Sequence, residues 1–236
     1  FERVNTKKSF DMSKCESCIV KEFNSLKSLT RDELMRVSAC KTGKVYKKGQ
    51  VIFEEGETLN GVYCVRDGVC KLTKLSENGK DQVVKLVVKG GLLGKRSLVS
   101  EQKTNLSAIA LNDMEMCFIP KSEIMADLEK NPKFTMDVLK NMAEDLKVSD
   151  VSLVNMAQKS VKTRMADILL YIHDNFGIDS TGHFNIILSR EDYAGIVGTA
   201  TESAIRILSQ FKKEGLISTS GKRIKIENSN GLKRVE

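Results

Sequence analysis

Between about Val45 and Ile119 the apolar residues fall in short runs, each broken by glycine or a polar turn. Val51-Ile52-Phe53 precedes EEGE. Val62–Val65 and Val69–Leu75 flank Arg66-Asp67-Gly68, and Asn78-Gly79 separates the second run from Gln82–Val88. Ser107–Leu111 and Met114–Ile119 complete the series. Asn-Gly is a favoured pair for a two-residue hairpin turn, because both central positions take positive φ. Short strands punctuated in this way predict an antiparallel sandwich or roll. A parallel sheet would need long crossovers between its strands.

After Pro120 the period changes. Lys121–Leu128 predicts a short helix, and Asn131-Pro132 supplies a cap and first-turn proline for a longer one. Lys133–Gln158 contains neither Gly nor Pro. Within it Leu139, Met142, Leu146, Ser149, Leu153 and Met156 alternate steps of three and four, a coiled-coil seam interrupted only at Ser149. Such a helix either packs on its own domain or pairs with its copy across a dimer. In the second case Leu139, Met142, Leu146, Leu153 and Met156 are the interface.

From about Lys159 a second unit is expected. Val161–Phe176 predicts an amphipathic helix, Gly177–Gly182 a loop and Phe184–Leu188 a short strand. Two further helices follow, then a hairpin over 217–227 with Ser220-Gly221 at its turn. The stretch SREDYAGIVGTATESAIRILSQFKKEGLI, residues 189–217, carries the most information. Ser189 caps a helix whose first turn holds Glu191 and Asp192. Ala194 and Gly198 are small where two helices approach, and Gly198 permits the sharp turn between them. Tyr193, Val197, Ala204 and Ile207 supply the apolar contacts. This is the spacing of a helix-turn-helix, with the basic hairpin behind it as a wing.

In such a unit the second helix, about Ala200–Lys213, enters the major groove with its N-terminal residues at base edges. Glu202 and Arg206 share one face. Arginine bonds guanine O6 and N7 together, and glutamate accepts from cytosine N4. The plainer reading is an i,i+4 surface pair. Thr199, Thr201 and Ser203 are candidates for phosphate or base contacts; Lys222, Arg223, Lys212 and Lys213 are candidates for the DNA backbone.

Composition narrows the class. Hydrophobic residues make up 41% and charged residues 29%, as in a soluble globular protein, and a net charge of +7 suits a polyanionic partner. No apolar run approaches the roughly 20 residues that span a bilayer, so no membrane partner is expected. The chain begins at Phe1 rather than Met, which predicts an N-terminus that lies upstream or was trimmed. Six cysteines without a secretion signal suggest reduced thiols in the cytoplasm. No Ser/His/Asp order and no phosphate-binding P-loop points to an enzyme. Cys15 and Cys18, in KCESC, have the spacing of a metal-ligand or redox pair, a weak signal alone.

The stretches KKGQVIFEEGE (47–57), GVYCVRDGVCKL (61–72) and GGLLG (90–94), with the ExxxR of Glu202 and Arg206, resemble the cAMP receptor protein / fumarate-nitrate regulator (CRP/FNR) family of bacterial transcription factors. The resemblance implies an α+β protein: an N-terminal antiparallel β-roll like a cyclic-nucleotide-binding domain, a long dimerisation helix and a C-terminal winged helix-turn-helix. The expected division is a cysteine-bearing arm (1–24), a sensor roll (25–130), the dimer helix (131–158) and the DNA-binding unit (159–236). A homodimer on a roughly palindromic double-stranded operator is implied, with RNA polymerase as a further partner. The alternative is an effector-binding module with a degenerate or unregulated DNA-binding domain.

Cyclic-nucleotide-binding members of the family carry a glutamate after the glycine loop and an arginine-serine pair further on. Here Lys95 and Leu106 stand at the glutamate and arginine positions, which argues against cAMP. The oxygen-sensing branch holds a [4Fe–4S] cluster with three arm cysteines and one in the roll. Cys15 and Cys18 match the first two, and Cys117 in MEMCFIP matches the roll position. Asn24 replaces the third arm cysteine. The resemblance implies a cluster on Cys15, Cys18 and Cys117 completed by Asn24, Asp11, Glu16, Glu22, Cys40 or solvent. A zinc site, a Cys15–Cys18 redox pair and a site that binds nothing remain the competing readings. Cys40, Cys64 and Cys70 lie in apolar or strand patterns and read as core thiols.

Overall fold

The computed structural model describes residues 15–77, 79 and 81–236. Asp11, the Glu16 side chain and Asn78 lie outside the described residues. Gly79 turns at φ +75°, and its N–H donates to the Ser76 carbonyl at 2.9 Å.

Three short 3-10 turns, Cys15–Ser17, Ile19–Phe23 and Ser25–Ser28, lead into helix α1 (Arg31–Cys40). Thr30 and Glu33 cap that helix reciprocally, a TxxE signal present in the sequence but absent from the expected elements. The roll then follows as β1 (Thr42–Tyr46), β2 (Val51–Phe53), β3 (Gly61–Asp67), β4 (Cys70–Leu75), β5 (Asp81–Val87), β6 (Leu92–Leu93), helix α2 (Lys95–Ser100), β7 (Ser107–Ala110) and β8 (Met114–Pro120). Its two antiparallel sheets run β1-β8-β3-β6 and β2-β7-β4-β5. Phe53, Tyr63, Val65, Val87, Met114 and Met116 fill the space between them. On the outer face of the first sheet Val62, Cys64, Cys117 and Ile119 form a second core with the N-terminal turns, α1 and the helices that follow.

Helix α3 (Lys121–Lys130) precedes the long α4 (Pro132–Gln158), whose first free N–H groups are met by Asn131: its Oδ1 accepts from Phe134 N at 3.0 Å. The winged unit comprises α5 (Val161–Phe176), α6 (Arg190–Val197), α7 (Thr201–Lys213), the hairpin β9 (Ile217–Ser220) and β10 (Arg223–Ile226), and α8 (Ser229–Lys233). Among the described residues no helix is long and apolar enough to cross a membrane.

Two expectations are corrected. Phe184–Leu188 is not a ladder strand. Phe184 makes one bridge to Ile178 and donates its N–H to the Ile224 carbonyl at 2.9 Å. Phe184, Ile186 and Leu188 are buried, so the alternation reflects packing of an extended segment rather than strand pairing. Cys40 is not a core thiol, because it ends α1 on the exposed side.

The winged unit rests on its own roll. An added Cβ at Gly195 of α6 would stand 2.7 Å from the Asp81 carbonyl oxygen of β5, a contact that only glycine tolerates without movement. Beside it the Lys71 Nζ of β4 reaches Asp192 Oδ1 at 2.7 Å. Burial opposes ionisation of Asp192, but hydrogen bonds from Lys71 and Ser189 outweigh it and hold the carboxyl below its usual value. The resulting stability is present above the ordinary carboxylate pKa and is lost as pH falls through the lowered one. Lys71→Met should therefore cost roughly 1.5–3 kcal/mol near neutral pH and flatten the acid limb of the stability curve. A melting temperature unchanged from pH 7 to pH 3 relative to wild type would contradict this.

Candidate functional site

The face of α7 turned away from its core has the polar composition that base reading requires. Ala204, Ile207, Leu208 and Phe211 are buried against α5 and α6, with Tyr193, Ala194 and Val197 opposite them. Gly198 closes α6 in the left-handed region at φ 66°, and Thr199 N–H donates back to the Ala194 carbonyl at 3.0 Å. The chain then enters α7 at Thr201. Glu202 and Arg206 are exposed on its first turns, and among the described residues neither is drawn into an ion pair. The i,i+4 surface pair is not formed, so both side chains are available.

Thr199, Thr201 and Ser203 lie half-buried along the same entrance. Lys222 is exposed at the wing turn beside Gly221 (φ 59°). Arg223 is paired with Asp179, which braces the wing against the loop after α5. Lys212 and Lys213 are exposed at the far end of α7.

Along α4 the seam divides. Leu139, Leu146 and Leu153 are 51%, 64% and 71% exposed, and Val151 and Val154 lie open nearby. Met142 instead packs in part against the outer core of the roll. Met156 turns toward Gly198, where an added Cβ would lie 3.2 Å from its sulfur. Arg164 ties these parts together. Its Nε donates to the Val197 carbonyl at 2.9 Å, and Nη1 donates to Met156 O at 3.1 Å and Lys159 O at 2.7 Å. One guanidinium thus joins the end of α4 to the end of α6.

A second candidate site lies where the N-terminal turns cover the roll. Cys15, Cys18, Cys64 and Cys117 line one cavity of about 20 Å³, together with Lys41 and Arg66. Cys64 and Cys117 are register partners on β3 and β8. Opposite residues on one face of such a pair have their Cβ atoms about 4.5–5.5 Å apart. Cys15 is fixed by its own N–H, which donates to Ser38 Oγ at 3.1 Å. Burial pushes the Cys64 thiol up to about 12, and Cys117, Cys18 and Cys15 add to the effect while an Asn24 hydrogen bond opposes it. Burial also raises Cys117, against the pull of Lys41 and Arg66. A larger opening of about 380 Å³ adjoins the cavity, sharing Cys18, Val20 and Arg66 with it.

Asn24, one of the candidates to complete the cluster, is engaged by the chain. Its Oδ1 accepts from Leu26 N at 2.9 Å, while the two N–H groups of Nδ2 are shared among Gly90 O at 3.1 Å, Val20 O at 3.3 Å and Cys64 Sγ at 3.5 Å. Glu22 is exposed and pairs with Lys21. Among the described residues no three His, Cys, Asp or Glu side chains stand as a ready-made single-ion site. The donor set nevertheless suits an iron–sulfur group: four thiols on one lining, with the cations Lys21, Lys41 and Arg66 beside them to offset thiolate charge. Cys64 is the member that sequence reasoning missed, because its neighbours on β3 are buried on both faces of the sheet.

A two-sheet roll, a long helix with an open apolar stripe and a winged helix-turn-helix together define a DNA-binding regulator. Residues 43–131 match the cyclic nucleotide-binding domain, and residues 163–235 match the Crp-like helix-turn-helix domain. The chain is 28% identical over 222 residues to the anaerobic regulatory protein of Haemophilus influenzae, covering 92% of this chain and 86% of that one. It is 27% identical over 218 residues to the fumarate and nitrate reduction regulatory protein of Vibrio cholerae, covering 91% and 86%. Its fold is that of FixK2 from Bradyrhizobium japonicum, with a TM-score of 0.73 at 23% identity over 83% of this chain and 97% of that one. The chain is a DNA-binding transcriptional regulator of the CRP/FNR type.

Proposed function

We propose that two copies of this chain pair along α4 in the cytoplasm and read a roughly palindromic operator with two α7 helices about one helical turn apart, with RNA polymerase as a further partner. The signal in this reading is oxygen or redox state, sensed through a [4Fe–4S] cluster on Cys15, Cys18 and Cys117 and a fourth ligand. The observation that carries it is the position of the N-terminal turns. They close the cysteine cavity on one side and grip α4 on the other. Asn141 Nδ2 donates to Ser25 Oγ at 2.8 Å, Asn131 Nδ2 donates to Ser28 O at 3.2 Å, and Ser28 Oγ bonds Asp137.

A bound cluster supplies a redox centre whose potential follows from hydrogen bonds to its sulfurs and from solvent exposure. The chain's own part is mechanical. Cys15 and Cys18 fix where the turns sit, Ser25 and Ser28 pass that position to α4, and Arg164 passes the setting of α4 to α6. A signal that favours one setting shifts the dimer toward or away from the DNA-competent form. Cyclic AMP has no part in this reading. Lys95, at the position of the ribose-binding glutamate, directs its Nζ to Asp145 of α4 at 2.7 Å, an ion pair within the chain.

The test is a gel shift on operators selected from random DNA in the absence of oxygen. Arg206→Ala should cost on the order of 1–3 kcal/mol on the selected operator and relax the preference at one base pair in each half-site. Equal loss on every sequence would count against base reading by Arg206.

A further inference from the structure

We infer that Cys64 is the fourth thiolate of the cluster site, taking the place of the missing third arm cysteine, and that Asn24 serves as a hydrogen-bond donor to its sulfur. This rests on the cluster reading above and names the ligand which that reading leaves open.

The argument runs by geometry and by elimination among the described residues. Cys64 lines the same cavity as Cys15, Cys18 and Cys117, and it is the register partner of Cys117. Both sulfurs belong to the core on the outer face of the sheet, the side that the N-terminal turns cover. Cys70, by contrast, lies in the core between the two sheets, and Cys40 is exposed at the end of α1. Glu22 is exposed, and Asn24 spends its carbonyl oxygen on Leu26 N. Thiolate is the usual ligand of an iron–sulfur cluster, and Cys64 is the further thiol on the lining.

The identity of Asn24 then acquires a reason. Its Nδ2, 3.5 Å from Cys64 Sγ, points an N–H at the sulfur, the kind of bond that tunes a cluster from outside its ligand set. The two N–H groups of Nδ2 are shared among the sulfur, Gly90 O and Val20 O, which keeps the amide turned toward Cys64. The ligand has in effect moved from the arm to the roll, which puts two ligands on each. Ligation balances simply, since each thiol gives its proton to solvent as its sulfur bonds iron.

The test compares wild type, Cys64→Ala, Cys70→Ala and the double variant Cys64→Ala/Asn24→Cys. Each is purified without oxygen and assayed for iron, acid-labile sulfide and visible absorbance. Wild type and Cys70→Ala should carry about four iron per subunit, and Cys64→Ala below about one. The double variant should regain iron and absorbance, because its new thiol stands in the place from which Asn24 touches the Cys64 sulfur. That rescue separates loss of a ligand from loss of the fold. Full iron and an unchanged spectrum in Cys64→Ala would overturn the assignment of Cys64 while leaving the cluster reading intact. A wild type free of iron and sulfide would overturn both.

Discussion

Replacing Leu146 and Leu153 together with glutamate is expected to leave a folded monomer that no longer holds its operator. Both side chains stand open on α4 and contribute little to the core of their own subunit, so the fold should survive. Across a twofold they become facing seam positions, where like charges oppose one another without solvent between them. A palindrome is bound tightly because one dimer delivers two recognition helices at once. Losing that coupling lowers operator affinity by roughly 10²–10⁴-fold. Sedimentation should show a monomer at micromolar concentration with an unchanged far-UV spectrum. A double variant that remains a dimer would place the interface elsewhere.

The second large effect is expected at Cys117. Cys117→Ala should abolish iron binding and, with it, any difference in operator affinity between protein kept from oxygen and protein exposed to air. Cys117 sits on β8 in direct register with Cys64, on the lining that it shares with Cys15 and Cys18. In the proposed set of four thiolates, removing one sulfur would leave an iron without its protein ligand. The substitution itself is small and the site lies among apolar neighbours, so a modest loss of stability is expected. An operator affinity that still changes with air in Cys117→Ala would show that the signal enters by another route.

The strand runs of the roll, the long helix and the two helices around Gly198 could be read from sequence because each rests on local physics. Period two, period three to four and a positive-φ glycine leave marks within a few residues of one another. Elements held by tertiary packing left weaker marks. The 3-10 turns at Ile19–Phe23 and Ser25–Ser28 are too short for a period to emerge, and β6 spans only Leu92 and Leu93. Phe184–Leu188 carried the strand period yet found no ladder.

The sites divide in the same way. That Glu202 and Arg206 share an exposed face was legible because four residues on a helix settle their common face. Cys15, Cys18 and Cys117 share one lining in the structure, a grouping that sequence suggested only by resemblance, since nothing local links residue 15 to residue 117. Cys64 was hidden because β3 is buried on both sides, so alternation could not show which core its thiol enters. Asn24 looked like a defective ligand in sequence. In the structure it is the clasp between the N-terminal turns and Gly90.

The most direct test of the account is made on wild-type protein purified without oxygen, measuring iron, sulfide, sedimentation and operator binding before and after exposure to air. The account predicts about four iron and four sulfide per subunit, a visible absorbance that bleaches in air, and a change in dimerisation and operator affinity that tracks the bleaching. Colourless, iron-free protein that forms the same dimer and binds the operator equally well before and after air would contradict it.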